Sequence, residues 1–303
     1  MDYPSDMEVG SFDARYRAFL ETVTQLRPRL HRYCARMTGS VMDGEDVVQE
    51  ALFEAYRKLE RFDDSRPLGP WLFRIAHNRC IDFLRRRDVR RQAETEAAAE
   101  IPESIMPIEP SGAMLDQAVE HLVITLPPKE RACVLLKGVF DYSLEEIAEM
   151  VDSTVGGVKA ALNRGRGKLK TATAPTKSKA VNPEVTQLLQ LYVERFNRQD
   201  WDGLRELISA DARLRVADAF SGRLSDAPYF GVYENWPWEP WKMAAGEVDG
   251  EPAVIILRRG VDAWEPYSAI RLGMVDQRVT TISDYWHTPW ILESATSTVL
   301  ATS

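Results

Sequence analysis

The segment Asp141 to Leu169, DYSLEEIAEMVDSTVGGVKAALNRGRGKL, holds the side chains with the clearest chemistry. Lys159, Asn163, Arg164, Arg166, Lys168 and Lys170 line the polar side of a stretch whose Val155, Val158 and Leu162 recur at spacings of three and four. Such a row of cations with an amide can hold phosphate oxygens and reach base edges. Just before it, Leu144, Ile147 and Ala148 mark a shorter amphipathic helix, and Thr154 is the expected N-cap of the second. Two short helices around a tight turn, the second cationic, are how a helix-turn-helix enters a DNA groove. The plainer reading of the same residues is a helical hairpin with a solvated basic face.

Two further groups lie upstream. In VMDGEDVVQEALFEAYRKLERF, Val41 to Phe62, one predicted helix face carries Val47, Val48, Ala51, Leu52, Ala55, Tyr56 and Leu59. Glu45, Asp46, Gln49, Glu50 and Glu54 are expected on its outward side. After the loop Asp63 to Pro70 comes WLFRIAHNRCIDFLRRRDVRR, Trp71 to Arg91, with Trp71, Leu72, Ile75 and Ala76 as its buried side. Asn78 and Asp82 are i, i+4 neighbours and share a face. His77 reads as a surface histidine.

These segments, in this order, resemble a bacterial RNA polymerase sigma factor of the extracytoplasmic-function group over roughly the first 170 residues. The resemblance rests on Asp43, Glu45, Asp46, Val47, Val48, Gln49 and Glu50, on Trp71, Leu72, Ile75, Ala76, Asn78 and Asp82, on Arg85-Arg86-Arg87, and on the helix-turn-helix that follows. It implies that Asp43, Glu45, Asp46, Gln49 and Glu50 dock on the clamp helices of the largest subunit of core RNA polymerase. The flap of the second-largest subunit is the other implied polymerase contact. It implies that Asn78, Arg79, Asp82, Arg85 and Arg86 handle the promoter −10 element, and that the loop Phe62 to Leu68 cradles a flipped base. It places Thr154, Lys159, Ala160, Asn163, Arg164 and Arg166 at the −35 element. Two departures stand out: Asp152 replaces the usual turn glycine, and Ala161 stands where an arginine is often found. Gly156, Gly157, Gly165 and Gly167 each weaken the second helix by about 1 kcal/mol relative to alanine.

The elements that must position these residues follow from pattern and composition. The expected organisation is a flexible tail at 1–11, a helical domain at 12–91, an acidic linker at 92–114 and a second helical domain at 115–171. A linker at 172–183, a third domain at 184–295 and a tail at 296–303 follow. The first helix contains Pro28, which can split or kink it, and Gly39 stops it. Leu115 to Leu126 is expected as a helix. Beyond Glu184 a helical pattern (Val185, Leu188, Leu189, Tyr192, Val193, Phe196) gives way to strand-like LRVA, PAVIILRR, YSAIRLGMV and VTTISDYW. With VERFNRQDWDGLRELISADARL and ISDYWHTPWIL, this part resembles the SnoaL-like branch of the nuclear-transport-factor-2 superfamily. The fold class expected is two all-α domains followed by an α+β cone. Tyr229, Trp236, Trp238 and Trp264 are the expected lining of an apolar pocket there, with plain core packing as the alternative. Asp284 and His287 are the nearest thing to an acid/base pair, but i, i+3 at a strand end points them apart. The extension implies a cis-acting regulator in place of a separate anti-sigma protein. The family's glycine-rich signature in that domain is not seen, with DAFSGR, Asp218 to Arg223, near its place. Its tryptophan-containing linker motif is absent between Arg91 and Ser111.

A net charge of −8 looks unsuited to DNA, but it averages opposed blocks. Arg66 to Arg91 holds eight arginines against two aspartates, whereas Gln92 to Leu126 holds seven acids and no lysine or arginine. Local potential decides polyanion binding. No apolar run nears the roughly 20 residues of a membrane span, and MDYPSDMEVG lacks a signal peptide's pattern. Cys34, Cys80 and Cys133 have no metal-ligand spacing and read as reduced, buried thiols. The expectation is a cytoplasmic, non-enzymatic protein with no cofactor and no metal, bound to core polymerase and promoter DNA and not to a membrane. Contact between the third domain and the sigma domains is expected within the chain. The rivals are a stand-alone helix-turn-helix regulator with a ligand-sensing domain, and a DNA-binding module fused to a SnoaL-like enzyme.

Overall fold

The structure is a computed structural model that describes residues 6–63, 65–97, 125–171, 183–235, 237 and 240–301. The chain divides into two compact units, Met1–Gly39 with Asp43–Thr176, and Ser40–Met42 with Lys177–Ser303.

In the first unit, α1 (Asp6–Thr38) is one helix that passes through Pro28. Proline removes one ladder bond, but buried apolar side chains anchor the helix on both sides of it: Phe19 before, and Leu30, Tyr33, Cys34 and Met37 after. The helix also begins at Asp6, so Asp6–Ser11 is helical and not part of a tail; residues 1–5 lie outside the described residues. Gly39 ends α1 with φ +86°, its N–H donating to the Ala35 carbonyl at 2.7 Å. α2 (Val41–Lys58) crosses α1 closely at Gly44, where a Cβ would lie 2.5 Å from the Ala35 backbone. α3 (Leu68–Ala97) continues beyond Arg91 into the expected linker.

The helices α4 (Pro128–Gly138), α5 (Leu144–Met150) and α6 (Val155–Thr171) complete the unit. The expected helix Leu115 to Leu126 lies almost wholly outside the described residues, as do most of the two linkers. Two separate helical domains are the expectation from sequence, yet the described helices share one hydrophobic core. Phe73 on α3 meets Tyr33 on α1 and Phe140 and Tyr142 in the α4–α5 turn, with ring centroids 5.3–6.1 Å apart. Arg131 of α4 is buried and donates to the Met37 carbonyl of α1 and, at 3.0 Å, to the Leu126 carbonyl.

The second unit opens with α7 (Pro183–Asn197) and α8 (Trp201–Leu207), the latter capped by Asp200, which accepts from the Gly203 N–H at 2.9 Å. Its strands are β1 (Ile208–Val216), β2 (Phe220–Arg223), β3 (Trp241–Val248), β4 (Glu251–Arg259), β5 (Trp264–Val275), β6 (Arg278–Asp284) and β7 (Thr298–Leu300). They form one sheet in the order β2-β1-β6-β5-β4-β3-β7, with only β1 and β6 parallel. α9 (Tyr229–Glu234) and α10 (Trp290–Glu293) lie in the connections. Helices preceding a mainly antiparallel sheet are the α+β arrangement expected. The strand β3 escapes the sequence pattern because WKMAAGEV is poor in β-branched residues. Its Gly246 is required by the neighbouring β7, since a Cβ there would collide with the Val299 carbonyl. β7 itself falls in what reads as a tail, where the ladder Gly246↔Leu300, Glu247↔Val299, Val248↔Thr298 orders it.

The Gly44 crossing gives a direct test. Gly44→Ala should lower stability by about 1–3 kcal/mol through overpacking against Ala35. A thermal melt showing no loss would mean that the α1–α2 crossing relaxes freely.

Candidate nucleic-acid and polymerase interface

The helix-turn-helix is built from the inside out. Ser143 caps α5 with a reciprocal pair: the Glu146 N–H donates to Ser143 Oγ at 3.1 Å, and the Ser143 N–H donates to the Glu146 carboxylate at 2.8 Å. Asp152 occupies the turn with φ +51°, a left-handed conformation that aspartate tolerates better than most residues, so the missing glycine costs little. Thr154 then caps α6, its Oγ1 accepting from the Gly157 N–H at 3.0 Å. Val158, Ala161 and Leu162 face the core. Ala161 is fully buried, so the arginine often found in the family at this point has no place on the outer face here. Gly165 is a packing residue: a Cβ would lie 2.8 Å from Val134 Cγ2 on α4.

Opposite that core side, Thr154, Lys159, Ala160, Asn163, Arg164 and Arg166 are all exposed. The fold therefore gathers the whole predicted −35 set on one solvent-facing surface. Arg164 and Lys168 differ from the others in bonding Glu130 of α4, each at 2.8 Å. The Lys168 ammonium, then Arg164, holds the Glu130 carboxyl below the usual carboxylate range. Arg164 thus braces α6 against α4 as well as facing outward.

On α3, Asn78 is exposed and Asp82 half-exposed, while Leu72, Phe73, Ile75, Ala76 and Cys80 face inward. Trp71 is half-buried and packs on Phe62 with centroids 4.6 Å apart. The three predicted phosphate holders all have carboxylate neighbours. Arg79 bonds Glu54 and lies 4.0 Å from Asp82, Arg85 lies 3.9 Å from Asp82, and Arg86 is 3.4 Å from Glu50. In the connecting loop, Asp63 accepts from the Ser65 N–H and hydroxyl at 3.1 and 2.7 Å.

Two expectations fail in this region. His77 is not a surface residue: it is 6% exposed, with Nδ1 2.8 Å from the Tyr33 hydroxyl. Burial, helped by the Lys129 charge, lowers its pKa to about 4, so the ring is neutral at physiological pH. Glu45 is not on the outward side of α2 either. It is fully buried, bonded to Arg27 of α1 and accepting from Gln49 at 3.3 Å. The helix turns Glu45 toward α1 because Gly44 lets the two helices approach. Asp43, Asp46 and Gln49 are partly exposed and Glu50 is exposed, leaving a smaller acidic face than the sequence pattern gives.

The second unit also departs from its expected pocket. Trp236 and Trp238 lie outside the described residues, and Trp264 packs under Lys242 and Arg259 at 4.6 and 5.9 Å. Only Tyr229 touches a described cavity, one of about 360 Å³. Asp284 does not pair with His287, which is exposed. It is 2% exposed and accepts from the Tyr233 hydroxyl at 2.6 Å, the Trp286 N–H at 2.8 Å and the Tyr229 hydroxyl at 2.9 Å. Sequence spacing gave no signal for this cluster, since Tyr229 and Tyr233 are some fifty residues from Asp284. Burial raises the Asp284 pKa, partly opposed by Tyr233, the Trp286 N–H and Tyr229. Among the described residues no group of three or more His, Cys, Asp or Glu could hold a metal ion, and the three cysteines are buried and free. No helix among them is long and apolar enough to cross a membrane.

A carboxyl with a raised folded-state pKa contributes stability that is full below its unfolded pKa and is lost as pH rises through the folded one. Asp284→Asn should therefore gain stability relative to the native chain as pH rises from about 4 to 8. Tryptophan fluorescence can follow this, since seven of the eight tryptophans lie from Trp201 onward. A stability difference that is flat with pH would show that Asp284 does not titrate on folding.

Residues 22–90 match the family model for sigma-70 region 2, and residues 116–169 that for sigma-70 region 4. The ECF RNA polymerase sigma factor SigG of Mycobacterium tuberculosis is 28% identical over 311 aligned residues, covering 92% of this chain and 82% of SigG. That alignment extends well into the second unit. SigW of Bacillus subtilis is 31% identical over 163 residues, 50% of this chain and 87% of SigW. Among solved structures, the ECF sigma factor SigJ of M. tuberculosis matches 90% of this chain and 99% of its own, with TM-score 0.33 and 17% identity. RpoE of Bartonella quintana, solved with the anti-sigma factor NepR, matches 51% of this chain and 96% of its own, with TM-score 0.42 and 23% identity. Region 2 and region 4 in order, with relatives of this kind, mean that the chain belongs to the extracytoplasmic-function group of sigma-70 family sigma factors and is an alternative sigma factor that directs transcription initiation.

Proposed function

We propose that this sigma factor reads the −35 element with the outer face of α6 and the −10 strand with Asn78 and Asp82 of α3. The observation that carries this reading is the exposed surface formed by Thr154, Lys159, Ala160, Asn163, Arg164 and Arg166 opposite a buried Val158, Ala161 and Leu162. Asn163 is the amide suited to a base edge. Lys159 and Arg166 hold phosphates, and Arg164 does so while braced by Glu130. On α3, Arg79, Arg85 and Arg86 exchange their carboxylate neighbours for phosphates when the strand binds.

Asp43, Asp46, Gln49 and Glu50 form the docking face for the clamp helices of the polymerase, where complementary charge sets register and on-rate. Glu45 serves this face from behind by fixing α2 on α1. The region 4 domain meets the polymerase flap. The protein works in the cytoplasm as a non-enzymatic subunit. The second unit regulates it in cis, raising its own effective concentration through the short tether, and a separate anti-sigma factor is not required. Exposure of His287 away from Asp284 supports a regulatory rather than hydrolytic or isomerising role for that unit.

Run-off transcription with core polymerase, on DNA from upstream of the protein's own gene, tests the reading. A discrete transcript is expected, and Asp46→Lys with Glu50→Lys should abolish it. If that double variant transcribes normally, the docking face lies elsewhere. At the −35 element, Asn163→Ala should cost about 1–3 kcal/mol and relax specificity at one position. Lys159→Ala should instead weaken all sequences alike and lower the salt slope by about 1. Truncation after Ala174 should raise transcription if the second unit acts as a brake, and lower it if the unit aids polymerase binding.

A further inference from the structure

Arg164 and Lys168 stand four residues apart on α6 and so share a face. One carboxylate serves both. Glu130 Oε1 accepts from Arg164 Nε and Glu130 Oε2 from Lys168 Nζ, each at 2.8 Å. Glu130 lies in the first turn of α4 with its side chain 8% exposed, whereas Arg164 and Lys168 are 57% and 52% exposed. Gly165 lets the two helices meet closely enough for this, since an added Cβ would lie 2.8 Å from Val134 Cγ2 and 3.6 Å from Glu130 Cβ. The other cations of the row, Lys159, Arg166 and Lys170, are exposed and meet no carboxylate among the described residues. A negative charge directly behind a cationic face lowers the potential that attracts a polyanion. A glutamine of the same shape would keep an acceptor for α6 without that charge. The charge of Glu130 is therefore the feature that needs a role.

A cation without a partner attracts any phosphate, and that attraction strengthens every duplex alike. A cation held by a carboxylate loses part of the attraction but keeps one orientation. Arg164 is held through Nε, so its planar guanidinium is fixed while its two terminal amino groups have no other bond among the described residues. At the right site a fixed donor pair meets its phosphate oxygens and offsets the lost charge. At a wrong site nothing offsets it. Resting on the reading of α6 as the −35 surface, we propose that Glu130 is a positioning residue that sets promoter discrimination. It partly neutralises Arg164 and Lys168, which lowers the affinity of α6 for DNA in general more than for the −35 element, and it holds the Arg164 guanidinium for a phosphate of that element.

The test uses holoenzyme assembled from full-length protein and core polymerase, with two duplexes. One is the promoter that run-off transcription maps upstream of the protein's own gene, and the other is the same duplex with its −35 element scrambled. Dissociation constants are measured over a series of KCl concentrations. Glu130→Gln should tighten binding of the scrambled duplex and steepen the slope of log affinity against log salt by up to about 1. It should lower the ratio of promoter to scrambled affinity by roughly three- to tenfold, the scale of one hydrogen bond. A residue that only braces α6 on α4 gives a different result: a lower melting temperature, both duplexes weakened by one factor and an unchanged slope. The proposal fails if the scrambled duplex binds no tighter, or if the ratio holds. Native Glu130 supplies a second measurement should Glu130→Gln not fold. Because Arg164 is partly neutralised, Arg164→Ala should reduce the salt slope less than Lys159→Ala does, and equal reductions would overturn the proposal. Lys159→Ala and Asn163→Ala separate this role from the reading beneath it. If neither weakens the promoter duplex, α6 is not the −35 surface and the Glu130 role falls with it. If both do and Glu130→Gln leaves discrimination unchanged, only the Glu130 role fails.

Discussion

The first unit depends on the contact among Tyr33, Phe73, Phe140 and Tyr142. These four rings come from α1, α3 and the turn that opens the helix-turn-helix. Each buries a large apolar area, and their edge-on geometry adds to it. The contact admits polar groups only where they are satisfied. Tyr33 finds His77, and the price of burying that imidazole is that it stays neutral. Around this centre, α3 and α6 are held with their apolar sides inward, which forces their cationic and amide side chains out. The outward row of cations and amides is thus a consequence of core packing and not of an independent arrangement of charges.

Charge then acts on a scaffold already set. Buried Glu45 with Arg27 locks α2 onto α1, Glu54 with Arg79 forms a half-buried pair between α2 and α3, and Glu50 sits opposite Arg86 at the surface. The buried pair is costly to break, because loss of one partner strands the other charge. An exposed pair such as Glu50 with Arg86 is worth little in stability, and its partners separate at small cost. The same division holds on α6. Arg164 is tied to a buried Glu130, whereas Lys159, Asn163 and Arg166 stay available on the outer face.

The second unit solves a different problem. A seven-stranded sheet places an apolar side against α7, α8 and α9, and Leu189, Tyr192, Phe196, Val254, Ile256, Ile270 and Ile282 fill the space between. Into that apolar setting the fold puts one carboxylate and three phenols. Such a cluster adds little to stability that apolar residues would not provide more cheaply. Within it the Asp284 carboxylate accepts from Tyr229, Tyr233 and the Trp286 N–H, so the buried acid is satisfied.

The sequence alone determined the helix-turn-helix, the acidic α2, the Asn78/Asp82 pair on α3 and the change from helices to sheet beyond Glu184. These are local patterns: apolar period, capping residue, charge spacing and motif order are all written within one or two turns of chain. What it misjudged needed partners far away in sequence. Glu45 and Asp46 are adjacent acids, and only the close approach of α1 at Gly44 decides which one is buried. His77 stands among polar and cationic neighbours, yet Tyr33 on another helix removes it from the surface. The strand β3 lacks strand-forming composition and β7 is only three residues long; β3 is ordered by pairing with β4 and β7, and β7 by pairing with β3. Asp284 reads beside His287, but chain folding turns it toward Tyr229 and Tyr233. In each case side-chain burial is settled by which elements pack together, and that is a property of the tertiary structure.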